Sequence, residues 1–188
     1  MQMILSRLLF TIFIYLWITN IAVAGLSDGL VAHYPFEENA NDASGNGHDG
    51  IEQGVVSYVN GVKGKSASFD GDNNNYIKGN SNPLSVIGTG DFTISVWAKF
   101  NKIENNWIYF FGENLIGGEE GIRTLITNNS QVVVQVTDLT TGSNNSSVIT
   151  SASRLSIDFW HHILISRESS ILKLYVNGLP EGSASSYQ

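Results

Sequence analysis

The sequence predicts an all-β protein, an antiparallel sandwich or barrel, and three observations predict it. Residues 92–100 (FTISVWAKF) alternate apolar and polar side chains, the period of a strand with one face on a core. Similar short segments recur along the chain, separated by turns rich in Gly and Asn. No window longer than about ten residues repeats its apolar residues every 3.6 positions, so helix should be minimal.

The predicted strands follow one another with short turns between them. They cover residues 30–36, 66–69, 76–78, 92–100, 108–111, 122–127, 131–138, 147–150, 160–166 and 172–176. The last strand leads into an Asn177-Gly178 turn, which is typical of a hairpin. Residues 179–188 are interpreted as a polar tail, so the second strand of that hairpin is absent. We therefore expect a fragment that lacks its final strands and is followed by further domains in a longer protein.

The first 24 residues are predicted to be a secretory signal peptide. Arg7 is their one charge, residues 8–17 are almost wholly apolar, and Ala22-Val23-Ala24 forms a small-x-small cleavage site. A membrane anchor is the disfavoured alternative, because spanning a bilayer takes roughly 20 apolar residues. Cleavage would release one domain, residues 25–188, as a secreted or cell-surface protein that does not insert into a membrane.

Composition excludes several function classes. The chain has 10 Lys and Arg against 17 Asp and Glu, a net charge of −7. Such an acidic chain has no electrostatic footprint for nucleic acid. It contains no cysteine, which excludes disulfides, thiol catalysis and thiolate metal sites.

A turn-rich loop at residues 42–48 (DASGNGH) is the candidate metal site. Ca²⁺ takes six to eight oxygen ligands, and Asp42 and Asn46 would supply two, with the carbonyls of Gly45 or Gly47 completing the shell. The calcium would be structural, and no other cofactor is expected. An Asx-turn loop, in which Asp42 and Asn46 bond their own backbone, is the alternative.

Exposed aromatic residues are the candidate ligand-binding residues, because their faces stack on the apolar faces of sugar rings. The predicted set is Trp97, Trp107 and Tyr109, with Arg123 and Gln135 as polar partners. Trp97 lies on the polar face of its strand. The alternative is that these aromatic residues fill the core or cover a sheet edge.

Enzymatic activity is not expected. A retaining glycosidase needs two carboxylates about 5–5.5 Å apart. The chain has no Glu-x-Asp-x-x-Glu run, and the adjacent Glu119 and Glu120 would diverge on a strand. For the same reason, His161 and His162 should point to opposite faces and cannot chelate one ion together.

Five segments in order resemble the LamG-like jelly-roll family of pentraxin- and concanavalin-like sandwiches. They are residues 30–50 (LVAHYPFEENANDASGNGHDG), 61–71 (GVKGKSASFDG), 92–100, 160–163 (WHHI) and 174–178 (LYVNG). The resemblance implies a concanavalin A-like jelly roll. It further implies a secreted, non-catalytic module that binds carbohydrate or glycoprotein in cell-surface or matrix adhesion. The alternative is an accessory or spacer domain of a larger secreted hydrolase, with no ligand of its own.

Overall fold

The computed structural model describes residues 25, 27–80, 90–103, 108–112, 121–138 and 145–185. These residues contain twelve strands and no helix. The strands are β1 Gly50–Gln53, β2 Ser57–Asn60, β3 Lys65–Ser68, β4 Tyr76–Gly79, β5 Phe92–Lys99, β6 Ile108–Gly112, β7 Gly121–Ile126, β8 Val132–Asp138, β9 Asn145–Thr150, β10 Trp160–Glu168, β11 Ile171–Val176 and β12 Leu179–Ser185.

Two four-stranded sheets dominate the fold, and every strand pair is antiparallel. One sheet has the order β12-β11-β10-β5 and the other β6-β7-β8-β9. Two further two-stranded sheets lie in the N-terminal part: the β2-β3 hairpin, and the β1-β4 pair, whose strands lie on either side of that hairpin in the sequence. The predicted all-β, antiparallel fold class is confirmed.

The core lies between the two four-stranded sheets. Alternate residues of β8 and β10 point inward, such as Val132 and Val134 of β8 and Ile163 and Ile165 of β10, and they belong to one buried cluster. Period-two alternation therefore gives each sheet one core face and one outer face. The outer faces of the two sheets lie on opposite sides of the sandwich.

Three predictions about elements were wrong. Residues 30–36 form no strand, and Phe36 has a positive φ of 56°. The strands β1 and β2 were not predicted at all. Residues 179–185, interpreted as a tail, form β12 and pair with β11 around the Asn177-Gly178 turn, with a bulge at Leu174/Tyr175. Its Ser- and Gly-rich sequence has no apolar alternation, which is why it resembled a loop.

The expectation that strands and domains follow residue 188 stays a prediction. The predicted signal peptide, residues 1–24, lies outside the described residues. Among the residues that are described, no helix is long and apolar enough to cross a membrane.

Candidate functional site

The outer face of β5, β10 and β11 brings three aromatic residues together on neighbouring strands of the sandwich. On β5, Trp97 alternates with core-facing residues and lies 51 % exposed. The register places His162 opposite Trp97 and Trp160 opposite Lys99. Tyr175 lies one strand further on, opposite Leu164. We call the surface formed by Trp97, Lys99, Trp160, His162 and Tyr175 the aromatic face.

Short-range contacts fix the side chains of the aromatic face. The ring centroids of Trp97 and His162 are 5.1 Å apart with the planes tilted by 40°. The Ser95 hydroxyl lies 2.8 Å from His162 Nε2, so it orients the imidazole. Lys99 Nζ lies 5.5 Å from the centroid of the Trp160 ring, within cation–π range. The indole of Trp97 is therefore held in place with half of its surface open to solvent.

The two adjacent histidines point to opposite faces, as predicted from strand geometry. His161 is buried, and its Nε2 lies 3.0 Å from the carbonyl oxygen of Ser156. Its Nδ1 lies 3.1 Å from Nδ2 of Asn177. His162 lies on the aromatic face instead, so the pair does not form one chelating site.

Asn177 joins two of the sequence motifs. Its Oδ1 accepts a hydrogen bond of 3.0 Å from the His162 N–H, and its own N–H donates to the His162 carbonyl at 2.8 Å. Its φ of 53° is in the left-handed region that Asn tolerates. These hydrogen bonds thus connect the Trp160-His161-His162 and Asn177-Gly178 motifs, and they fix the backbone at this end of the aromatic face.

Arg123 and Gln135 lie in the other four-stranded sheet. They are paired across β7 and β8, and the Arg123 guanidinium donates a hydrogen bond to Gln135 Oε1. They are on the outer side of that sheet together with Leu125, which is fully buried. The structure brings Arg123 and Gln135 together, but it places Trp97 on the opposite side of the sandwich.

The remaining two predicted ligand-binding residues are Trp107 and Tyr109. Tyr109 lies in β6 opposite Leu125, and its side chain is outside the described part of the chain. Trp107 is outside it as well. The predicted set therefore does not form a single site, and a ligand-binding role for each member stays a prediction.

The predicted calcium loop is held together by Asp42. Oδ1 accepts hydrogen bonds from the N–H groups of His33 (2.9 Å) and Ser44 (2.8 Å), and Oδ2 accepts them from the Ser44 hydroxyl (2.7 Å) and the His48 N–H (3.1 Å). Desolvation would raise the pKa of the Asp42 carboxyl, but these hydrogen bonds together lower that pKa below its ordinary value. All four acceptor directions of the carboxylate are occupied by donors.

The other predicted ligands lie in the same loop as Asp42, in tight turns and backbone hydrogen bonds of their own. The Asn46 amide donates to the carbonyls of Leu30 (2.8 Å) and Val31 (3.0 Å). Gly45 and Gly47 have positive φ of 89° and 78°, as the tight turns require. This geometry matches the Asx-turn alternative. The described residues include no group of three or more His, Cys, Asp or Glu placed to hold a metal, and calcium at Asp42 stays a prediction.

Sequence reasoning missed most of the aromatic face. It identified Trp97 but treated Trp160 and His162 as structural packing, and it did not consider Lys99 or Tyr175. Period two already placed Trp160 and His162 on one face of their strand. Their position beside Trp97 depends on the pairing register of β5 with β10, two strands about 65 residues apart.

Comparison with known proteins agrees with this architecture. The laminin G-type model of the concanavalin A-like lectin/glucanase superfamily matches residues 70–188. The chain belongs to this superfamily. The LamG-like resemblance of the sequence is thereby confirmed. No curated protein matches the chain.

Solved structures similar to this superfamily member share its fold at low sequence identity. Domain 4 of AbnA, an extracellular GH43 arabinanase from Geobacillus stearothermophilus, has a TM-score of 0.65 and 20 % identity, covering 85 % of this chain and 76 % of that chain. The binding domain of Paraclostridial Mosquitocidal Protein 1 has a TM-score of 0.62 and 22 % identity, covering 77 % and 37 %. An S-layer domain-containing protein from Clostridium thermocellum has a TM-score of 0.52 and 24 % identity, covering 82 % and 72 %.

Proposed function

We propose that this protein is a secreted, non-catalytic module that binds carbohydrate or glycoprotein in cell-surface or matrix adhesion, and that the aromatic face is its binding surface. The observation that carries the proposal is the half-exposed indole of Trp97, oriented by His162 at 5.1 Å. Aromatic side chains combine a large apolar face with a polar handle, so they suit the amphipathic surface of a sugar. A ring already held in place loses little conformational freedom on binding.

The chemistry of the face supports binding and not hydrolysis. Glycoside hydrolysis requires a pair of carboxylates on either side of the scissile bond. Along the outer sides of β5 and β10 from Thr93 to Lys99 and from Trp160 to Ser166, the described side chains include no carboxylate. Such a surface can stack on a sugar and hydrogen-bond its hydroxyls, but it lacks the groups that would cleave it.

The structural similarities lend support to a carbohydrate ligand. Domain 4 of the arabinanase was solved in complex with arabinotriose. The same similarity supports the alternative, an accessory or spacer domain of a larger secreted hydrolase, because domain 4 is one part of such an enzyme. The alternative predicts no ligand of its own for this chain.

A glycan array probed with the secreted protein separates the two proposals. Retention of one glycan class, lost in Trp97→Ala and kept in Tyr76→Ala, supports binding through the aromatic face. Tyr76 is the matched control, because it is an aromatic residue of similar exposure (46 %) on β4. If the folded protein binds no glycan on the array, the result supports the alternative, an accessory or spacer domain.

Secretion is part of the proposal and has its own test. N-terminal sequencing of the protein recovered from the culture medium should begin at Gly25. Recovery of an uncleaved chain in the membrane fraction would contradict it.

The calcium prediction is tested by thermal melting. If Ca²⁺ binds at Asp42, a chelator lowers the melting temperature of the wild type and not of Asp42→Ala. Identical melts with and without chelator would remove the calcium site from the proposal.

A further inference from the structure

Charge on the aromatic face runs opposite to the charge of the whole chain. The chain carries a net charge of −7. The outer side chains of β5 from Thr93 to Lys99, and of β10 from Trp160 to Ser166, are hydroxyl, aromatic, apolar or basic. Within this part of the described surface the formal charge is that of Lys99.

The two lysines of this sheet differ in whether a carboxylate neutralises them. Lys173 Nζ lies 2.9 Å from Glu168 Oε2, and that hydrogen bond raises the pKa of Lys173. Lys99 Nζ instead lies 5.5 Å from the Trp160 ring and forms no ion pair with any carboxylate of the described residues. Lys99 therefore presents an ammonium group whose charge is available to a ligand.

The position of Lys99 relative to the indoles defines what it can contact. Lys99 lies directly opposite Trp160 and two residues from Trp97 on the same side of β5. Two residues along a strand span about 7 Å. A sugar ring stacked on the Trp97 indole therefore has the ammonium group near its edge, where the substituents of a pyranose project, whereas the Trp160 ring is covered by Lys99 itself.

We propose that the aromatic face selects a uronate-containing glycan, with Lys99 contacting the ring carboxylate. This inference rests on the proposed function and names its ligand class. The indole of Trp97 binds the apolar face of the sugar, and the ammonium group of Lys99 distinguishes an acidic sugar from a neutral one. A neutral sugar leaves that ammonium group with solvent as its only added partner, so it gains less.

The test compares two polymers that differ in one group. Polygalacturonate and the neutral galactan made from it by carboxyl reduction are titrated into the secreted protein by calorimetry. At about 20 mM salt we expect polygalacturonate to bind about fivefold more tightly than the galactan. This ratio of dissociation constants corresponds to the free energy of one exposed ion pair. At about 200 mM salt the preference should decrease, because the shorter Debye length screens the attraction between Lys99 and the carboxylate.

Substitutions identify the group responsible. Lys99→Gln should bind both polymers equally, with the galactan affinity of the wild type, and Lys99→Arg should restore the preference. The double substitution Lys173→Gln with Glu168→Gln is the control and should keep the preference, because it removes this ion pair without changing the net charge.

The outcomes separate this inference from the proposed function. Equal binding of both polymers, abolished by Trp97→Ala, would overturn the uronate inference and leave carbohydrate binding by the aromatic face intact. A preference that survives Lys99→Gln would overturn the role of Lys99. Binding of neither polymer would overturn the uronate inference, and the glycan array then decides the proposed function separately.

Discussion

The part of the chain before residue 80 and the sandwich after residue 90 are stabilised in different ways. Of the fifteen buried hydrophobic residues in the described part of the chain, fourteen lie from Phe100 to Val176, and the remaining one is Ala40. The N-terminal part relies instead on side-chain oxygens that bind backbone N–H groups, with Asp42 at the centre of one loop and Asp70 in another. Packing orders one region, and local hydrogen bonds order the other.

The second acidic loop repeats the arrangement of the first. Asp70 Oδ1 accepts hydrogen bonds of 2.9 Å from the Asp72 N–H and from the Asn75 amide, and these bonds lower the pKa of Asp70. The side-chain Oδ1 of Asn75 in turn accepts a hydrogen bond of 2.7 Å from the Val55 N–H. A hydrogen bond of this kind contributes about 1 kcal/mol, whereas burying a Leu side chain contributes two to three times more. The two regions should therefore respond differently to substitution and to pH.

The largest effect is expected in the core of the sandwich. Leu174 is fully buried, and Leu174→Ala should lower the free energy of unfolding by about 2–5 kcal/mol because it leaves a cavity. Urea denaturation followed by tryptophan fluorescence measures the change. Leu179→Ala, at a 66 % exposed position of the adjacent strand, is the control and should change stability by less than about 0.5 kcal/mol. Equal effects of the two substitutions would contradict the assignment of the core.

A smaller and local effect is expected at Asp42. Asp42→Asn keeps the shape of the side chain but places an amide donor where the carboxylate accepts donors from His33, Ser44 and His48. Hydrogen exchange of those three amides should accelerate at least tenfold, while exchange in β10 stays unchanged. Asp158→Asn is the control, since Asp158 is exposed with a φ of 64° that Asn also tolerates. Faster exchange throughout the sandwich would show that the two regions open together.

Lowering the pH should destabilise the Asp42 loop before it destabilises the sandwich, even in the wild type. The folded-state pKa of Asp42 is lowered, so its carboxylate contributes stability that is present above the ordinary Asp pKa of about 4 and is lost as the pH falls toward the lowered value. The amides of the Asp42 loop should lose protection in that range before those of β10. In Asp42→Asn this loss should disappear. A loss of protection that is uniform along the chain would contradict local stabilisation by Asp42.

The smallest effect is a gain in stability inside the sandwich. Thr124 is fully buried, and its hydroxyl has no hydrogen-bond partner among the described residues. Thr124→Val replaces that hydroxyl by a methyl group of similar size and should raise the free energy of unfolding by about 1 kcal/mol. Chemical denaturation measures it, with Thr93→Val on the exposed side of β5 as the control. A loss of stability would indicate that the Thr124 hydroxyl has a partner.

Sequence predicted the packed region well and the hydrogen-bonded region poorly, for one physical reason. Burial imposes alternation on residues, so 92–100 predicted β5 within one residue of its observed end. The segment 30–36 is apolar enough to resemble a strand, but Asp42 accepts its His33 N–H and Asn46 donates to its Leu30 and Val31 carbonyls, so these backbone groups pair with side chains and not with a neighbouring strand. The strands β1, β2 and β12 were not predicted because apolar and polar residues do not alternate along them.

The candidate site was predictable only in part. Alternation placed Trp97 on an exposed face, as observed. It could not reveal that Trp160 and His162 lie beside it, or that Arg123 and Gln135 lie across the sandwich, because strand register and sheet order depend on contacts between distant parts of the chain.

The most direct test of the central claim is an NMR titration of the secreted protein with the glycan that the array selects. The indole N–H signals of Trp97 and Trp160 and the ring signals of His162 should shift in proportion to occupancy. Signals of the Asp42 loop and of Arg123 and Gln135 should stay in place. Shifts confined to the Asp42 loop, or to Arg123 and Gln135, would contradict binding by the aromatic face.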